Sequence, residues 1–330
     1  MISAIPTFRR GLILTALFSL VYSFSFAQSK VDSVQKVDEI IIRAYLSDQP
    51  ILLVPSSVSL ISAKQLRNQP GISMLPALNS VPGIRMEERS PGSYRLSIRG
   101  SSLRSPFGVR NVKIYLDEFP LTDAGGNTYL NLIDVNSLHN MEVLKGPDGS
   151  LFGANSGGVV LLNPVDKGAD SSWVNAGITS GSYGLFQEQV AFQKKFKNQY
   201  LNFNQSYQRS DGYREHSAMS RNFAQMMYRV NYAKSNQLRV LGFYSDLEYK
   251  TPGGLTLAQY NANPRAARPS TAFVAGPVAQ QARIENQTLY AGIVNEAKIF
   301  NNFKHVLAVY GSTTDYLNPF ITNYEVRKEN

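Results

Sequence analysis

"FQEQVAFQKKFKNQYLNFNQSYQ", Phe186–Gln208, is the stretch whose reading decides the fold. In its first half, Phe186, Val190, Phe192 and Phe196 fall on one parity, and Gln187, Gln189, Gln193 and Lys195 on the other. After Lys197-Asn198, Leu201, Phe203 and Tyr207 alternate with Asn202, Asn204, Ser206 and Gln208. Successive side chains of a strand point to opposite faces, so this period of two predicts two long strands with unlike faces. Ala224–Tyr232 repeats the pattern, with Ala224, Met226, Tyr228, Val230 and Tyr232 against Gln225, Arg229 and Asn231. Leu289, Ala291, Ile293, Ala297 and Ile299 form a further apolar face opposite Glu296 and Lys298. Gln237–Tyr249 and Lys304–Asp315 alternate weakly.

A soluble sandwich of sheets also alternates, but it buries one face of each strand in a dry core. A face rich in Gln and Asn opposite an apolar one suits a transmembrane barrel instead, apolar toward lipid and polar toward the lumen. The connections agree. Lys197-Asn198 and Ala233–Asn236 are short, whereas Lys250–Arg283 is long and carries PGG, NP and RP breakers. Outer-membrane barrels pair short periplasmic turns with long outer loops, which puts the long one outside the cell.

The bulk properties narrow the remaining classes. The chain has 330 residues, a formal charge of +9 and no cysteine, so disulfides and thiolate metal sites are excluded. His139, His216 and His305 lie too far apart for metal-ligand spacing. Arg9-Arg10, the uncharged run Gly11–Phe26 and the small-x-small pattern Ser25-Phe26-Ala27 read as a secretory signal peptide over residues 1–27. No later stretch is long and apolar enough for a membrane helix. Basic residues are scattered rather than clustered, which disfavours nucleic acid. No Ser-His-Asp order, metal cluster or convergent carboxylate pair stands out, so an enzyme is not expected. Asp117-Glu118 reads as a turn.

"MEVLKGPDGSLFGANSGGVVLLNP", Met141–Pro164, raises a different question, because a glycine-rich loop after a strand can cradle phosphate. The lysine and hydroxyl of a phosphate loop do not follow Gly153. The stretch therefore reads as strand, turn-rich link and strand. Its glycines Gly146, Gly153, Gly157 and Gly158, with Pro147, are expected to allow tight turns and close approach of the backbone to a barrel wall.

Six segments in order resemble TonB-dependent outer-membrane receptors. Val37–Ala44 (VDEIIIRA) resembles their energy-coupling box, and Pro55–Ile61 followed by Ser62–Leu66 resembles the start of their plug. Leu75–Val81 with Pro82-Gly83-Ile84, then Ser97-Ile98-Arg99-Gly100, then Val112–Pro120 are similar to later plug segments, and Met141–Gly158 to the block that ends it. Glu118 stands where these receptors commonly carry Gly. Arg99-Gly100 with Arg104–Arg110, and Ser210–Glu215, are similar to the branch that holds ferric-siderophore and ferric-dicitrate receptors and the receptor for pyrroloquinoline quinone.

The resemblance implies an α+β plug domain followed by the first strands of an antiparallel transmembrane barrel, about 22 strands when complete. The expected division is residues 1–27 signal, 28–44 coupling segment, 45–166 plug and 171–330 partial barrel. It implies import of a scarce small ligand, a ferric siderophore or other iron chelate, with pyrroloquinoline quinone as the alternative and a passive porin or adhesin as the rival class. No cofactor is expected to be held permanently. The implied partners are outer-membrane lipid, the cargo and TonB with its inner-membrane ExbB/ExbD complex. TonB would take Val37, Asp38, Glu39, Ile40, Ile41 and Ile42 as an added strand, a mode that suits a β-branched run. An ordinary first plug strand is the competing reading of that run. Ligand would meet plug apices at Arg85–Gly92, Ser101–Arg110 and Leu121–Tyr129, through Arg89, Arg104, Arg110 and Tyr129. Arg99 is expected buried and structural, with Gly100 beside it. Residues 171–330 suffice for about seven or eight strands, so the chain is expected to be a fragment or remnant that does not transport alone.

Overall fold

The computed structural model describes residues 40–43, 47–69, 71–101, 108–123, 126–153, 157–165, 171–233, 235–300, 303–320 and 323–329. The signal segment and Val37–Glu39 lie outside them.

Strands β1 (Ile41–Ile42) and β2 (Gln49–Pro50) form a small antiparallel pair. The plug sheet has the order β3 (Val58–Ile61), β8 (Asn140–Lys145), β9 (Gly158–Asn163), β6 (Val112–Leu116) and β7 (Phe119–Pro120). Strands β4 (Ile84–Ser90) and β5 (Ser93–Ile98) make a separate hairpin. Among the described residues the plug has two helices, α1 (Ala63–Arg67) and α2 (Leu75–Asn79), with short 3-10 turns. Ser62 caps α1 in a reciprocal capping box with Gln65, and Pro76 lies in the first turn of α2. Helices this brief are stable only through the core they cover. Leu66, Ala77 and Leu78 supply that contact.

The second half is one antiparallel meander of eight strands. These are β10 (Trp173–Ser180), β11 (Phe186–Lys195), β12 (Gln199–Ser210), β13 (Met219–Tyr232), β14 (Asn236–Lys250), β15 (Arg283–Phe300), β16 (Phe303–Phe320) and β17 (Asn323–Glu329). Each pairs with its sequence neighbours and the sheet does not close. The weakly alternating stretches form β14 and β16, among the longest strands. The inward face of β14 carries Leu241, Phe243, Leu247 and Tyr249, and that of β16 mixes Ala308 and Tyr310 with Thr314 and Asn318, so polarity does not mark the two sides.

Burial across this sheet is inverted relative to a soluble protein. Gln187, Gln193, Asn202, Asn204, Ser206, Gln208, Gln225 and Arg229 are buried, whereas Val190, Met226, Leu289 and Ile293 are exposed. The polar face lies inward against the plug, and the apolar face is the one that lipid would cover.

The glycines of Met141–Pro164 serve the plug itself rather than its approach to the wall. A Cβ on Gly158 would stand 2.2 Å from the Leu144 carbonyl oxygen, and one on Gly157 2.6 Å from that of Asn111. Gly146 and Gly153 take positive φ on either side of the 3-10 turn Pro147–Phe152. Arg99 also departs from expectation: it lies one residue beyond β5, exposed, with φ +50°. Its N–H donates to the Gly83 carbonyl at 2.8 Å. The strand stops at Ile98 because the chain turns there, which carries the guanidinium out of the core.

Candidate functional site

Two sets of side chains join plug to wall. The first is centred on the β6–β7 turn. Asp117 adopts φ +54°, a conformation that Asp tolerates better than most residues. The turn places both carboxylates against Arg239 of β14, with Nε–Oδ2 of Asp117 at 2.8 Å and Nη2–Oε1 of Glu118 at 2.9 Å. Arg239 Nη1 also reaches Glu296 of β15 at 3.2 Å. On its other side Glu118 pairs with Arg43, whose backbone N–H donates to Glu142 at 2.7 Å.

Directly after the turn, Phe119 is fully buried over Gly292 of β15. Its ring meets Tyr290 and Tyr310 edge-on at 6.2 and 6.1 Å. Those tyrosines belong to a ladder of one ring per strand, in which Phe223, Phe243, Tyr290 and Tyr310 stack in succession. The Tyr290 hydroxyl donates to the Pro120 carbonyl at 3.1 Å.

The second set lies toward the other end of the strands. Arg221 of β13 donates to the Asn131 and Ile133 carbonyls at 3.2 Å each and lies 3.5 Å from Asp134. Gln187 and Gln208 donate to the Gly71 and Ile72 carbonyls at 3.2 Å. Inward polar side chains of the wall thus satisfy plug backbone groups that would otherwise be buried without partners.

Beyond these contacts a cavity of about 660 Å³ opens between the plug apices and the outer ends of the strands. Of the expected ligand residues, Arg89, Arg110 and Tyr129 line it together. Arg104 lies outside the described residues. Arg85–Gly92 is not a loop but the β4 strand and its turn, so only its far end faces the cavity. Arg110 Nε donates to Asn127 Oδ1 at 3.0 Å, which aims its side chain along the rim.

The wall adds Arg214, Tyr249 and Tyr316, which were not singled out from sequence. Arg214 sits within the Ser210–Glu215 motif already noted, and that was the available signal. Tyr249 closes β14 against the β4–β5 turn, where a Cβ on Gly92 would meet its ring at 2.9 Å. Tyr94 of the plug also lines the cavity. Burial, with the Glu88 carboxylate nearby, pushes its phenol up to about 12, so it remains a hydrogen-bond donor at neutral pH. No Asp or Glu lines the cavity among the described residues.

Of the coupling box, Ile40, Ile41 and Ile42 are among the described residues, and Ile41 and Ile42 do not line the cavity. Ile40 is exposed, and Ile41 and Ile42 pair with Pro50 and Gln49 of their own chain. Ile42 is buried with Leu144 and Val159. Of groups with three or more His, Asp or Glu able to hold a metal, there are none among the described residues.

Comparison with known proteins accounts for this arrangement. Residues 50–160 match the TonB-dependent receptor plug domain. A vitamin B12 transporter of Vibrio vulnificus (strain CMCP6) is 27% identical over 176 residues, covering 52% of this chain and 28% of that protein. The ferrioxamine receptor of Yersinia enterocolitica is 32% identical over 117 residues, covering 35% and 16%. This chain thus spans less than a third of either relative's length. Among solved structures, the ferric citrate transporter FecA in its unliganded form superposes with a TM-score of 0.67 at 18% identity, covering 80% of this chain and 40% of that one. P. aeruginosa FpvA bound to a heterologous pyoverdine superposes with a TM-score of 0.66 at 16% identity, covering 85% and 37%. At such identity the likeness is one of fold, an open run of barrel strands curved around a plug. With the plug motifs, the matched domain and that shared fold together, residues 50–160 form a TonB-dependent receptor plug domain, and the chain is similar to the N-terminal portion of TonB-dependent outer-membrane receptors.

Proposed function

We propose that the complete receptor imports a small anionic cargo, an iron chelate, and that the cavity between plug and wall is where the cargo first binds. The carrying observation is the charge of the lining: Arg89, Arg110 and Arg214 face one space into which no described carboxylate points. Arginine presents a planar fork suited to carboxylate, and tyrosine a flat surface with a polar tip. The volume lies within the range of small-molecule sites. Relatives and structural neighbours named for ferrioxamine, ferric citrate and pyoverdine support a ferric chelate.

On this reading Val37–Ile42 is the segment that TonB takes as an added strand, driven by the ExbB/ExbD complex, and residues 45–166 are the plug that gates the lumen. Force on Ile41–Ile42 would be felt first at β2 and at Arg43, which connects to Glu118 and so to the wall.

Titrating the complete receptor with ferric siderophores, ferric citrate, pyrroloquinoline quinone and vitamin B12 tests the cargo class. Tight binding of a ferric anion is expected, and binding of vitamin B12 alone would refute the anionic reading. Deleting Val37–Ile42 should abolish uptake and leave binding intact, whereas a passive porin would lose neither.

A further inference from the structure

The long connection Thr251–Ala282 does not stand free above the cavity. It is fastened to the turn between β12 and β13. Gly212 takes φ +79° there, and a Cβ on it would fall 2.1 Å from Ser217 Oγ. Ser217 Oγ in turn accepts from the Arg214 N–H at 3.1 Å and donates to the Arg214 carbonyl at 2.6 Å. This tight turn presents Arg214 to the cavity in one orientation.

The guanidinium then grips the connection at two places. Nη1 donates to the Gly253 carbonyl at 2.8 Å, while Nε and Nη2 donate to the Ala266 carbonyl at 3.1 and 2.8 Å. Neighbouring contacts strengthen the seam: Glu215 N–H donates to the Arg265 carbonyl at 2.7 Å, Arg265 Nε to the Tyr213 carbonyl at 3.2 Å, and His216 Nε2 lies 2.8 Å from the Ala282 carbonyl.

Arg214 therefore holds the connection through neutral carbonyls only. No carboxylate pairs with it among the described residues, and burial alone lowers its pKa. A partly desolvated cation without a counter-charge attracts an anion more strongly than a surface arginine does. A guanidinium also has more N–H groups than its three contacts here use.

We propose that Arg214 is the specificity-determining cation of the cavity and, at the same time, the staple of the Thr251–Ala282 connection. Anion capture is thereby coupled to the order of that connection. The inference rests on the anionic-cargo reading for its ligand and on the hydrogen bonds alone for its staple. An anion that takes the spare N–H groups neutralises the partly desolvated charge and fixes the fork against both carbonyls. A neutral molecule in the same space has no such effect.

The test uses the full 330-residue chain in detergent micelles, with Arg214→Gln, Arg214→Lys and, as a control outside the cavity, Lys64→Gln variants. Hydrogen exchange of the Gly253–Ala282 amides is followed with and without ferric citrate as the probe. In the unliganded chain, R214Q should speed exchange in Gly253–Ala267 by about tenfold or more, with R214K intermediate and K64Q, exposed on α1 away from the cavity, unchanged. At saturating ferric citrate, the native chain and K64Q should gain protection there, and R214Q should not. Unchanged unliganded exchange in R214Q would overturn the staple. Full protection of ferric-citrate-saturated R214Q would overturn the coupling. Failure of the native chain to bind ferric citrate would count against the anionic cargo and with it the coupling, while the unliganded comparison would still decide the staple.

Discussion

Replacing Gly292 with Ala should unseat the plug, and the loss should depend entirely on Phe119. Gly292 is not among the glycines of positive φ, and an alanine there suits a strand better than glycine does. In isolation the change is therefore neutral or slightly stabilising. In the folded molecule the new Cβ would lie 2.5 Å from Phe119 Cε1, 2.7 Å from Cζ and 2.8 Å from Cδ1, closer than any carbon contact permits. The ring is boxed in by Tyr290 and Tyr310, and its backbone is pinned by the Tyr290–Pro120 hydrogen bond. Overpacking of this kind costs about 1–3 kcal/mol. Phe119→Ala alone should cost about 3–5 kcal/mol, since the side chain is fully buried. In the double variant the obstacle is gone, so G292A should add nothing to F119A and could recover part of its loss by filling space. The coupling energy should therefore match the cost of G292A itself, about 1–3 kcal/mol. Hydrogen exchange of the Leu116–Leu121 amides in detergent reads it directly, as roughly a tenfold change per 1.4 kcal/mol. Equal losses from G292A in the native and F119A backgrounds would refute the reasoning, as would a neutral G292A in the native background.

Arg239→Met should destabilise the plug–wall junction by about 3–5 kcal/mol, because it strands Asp117 in a buried site and leaves Glu118 to Arg43 and Glu296 to Lys304 alone. Adding Asp117→Asn and Glu118→Gln should restore much of that loss in urea titrations, and no restoration would argue against charge as the cause. Gly158→Ala should prevent the plug from folding, since Leu144 O stands in the way, whereas Gly100→Ala meets no atom within 4 Å and should cost only the roughly 1–3 kcal/mol of its positive φ. Comparable denaturation midpoints for the two would count against the packing argument. Tyr94 is raised from 10.0 to about 12 in the fold, so its contribution is complete below pH 10 and is lost as pH climbs toward 12. That span corresponds to about 2–3 kcal/mol. Tyr94→Phe should flatten the alkaline limb of stability against pH, and an unchanged limb would remove Tyr94 as its source.

Much of the sheet was legible because lipid and plug impose opposite chemistry on the two faces of β11, β12 and β13, and a period of two registers such a contrast directly. Where the plug presents an aromatic or aliphatic surface, the contrast vanishes. Strands β14 and β16 therefore alternate weakly, although Phe243 and Tyr310 point inward as regularly as Gln187 does. Local signals also marked two plug elements: the strand–link–strand of Met141–Pro164 and the Asp117-Glu118 turn. Invisible from sequence was what that turn grips, since Arg239 lies more than a hundred residues downstream and pairs with it only after folding. The cavity was half legible for the same reason. Arg89, Arg110 and Tyr129 come from plug apices whose order follows the motifs, whereas Tyr249, Tyr316 and Arg214 join them only through the curvature of the sheet. Arg99 was misplaced because its motif reads as a continuous strand, and nothing local announces the left-handed turn that ends β5.

The stacked rings of Phe223, Phe243, Tyr290 and Tyr310 have a consequence for how the wall is built. Each comes from a different strand, and neighbouring rings stack only when every hairpin is paired in its native alignment. A slip of one residue in any hairpin would turn its ring out toward lipid and bring a sequence neighbour in, such as Leu289 or Ala291 in place of Tyr290. The slipped strand would then offer Phe119 no matching surface and no Gly292 hollow. A plug that docks on the ladder thus acts as a gauge of alignment, distinguishing a correctly threaded wall from one that is merely hydrogen-bonded.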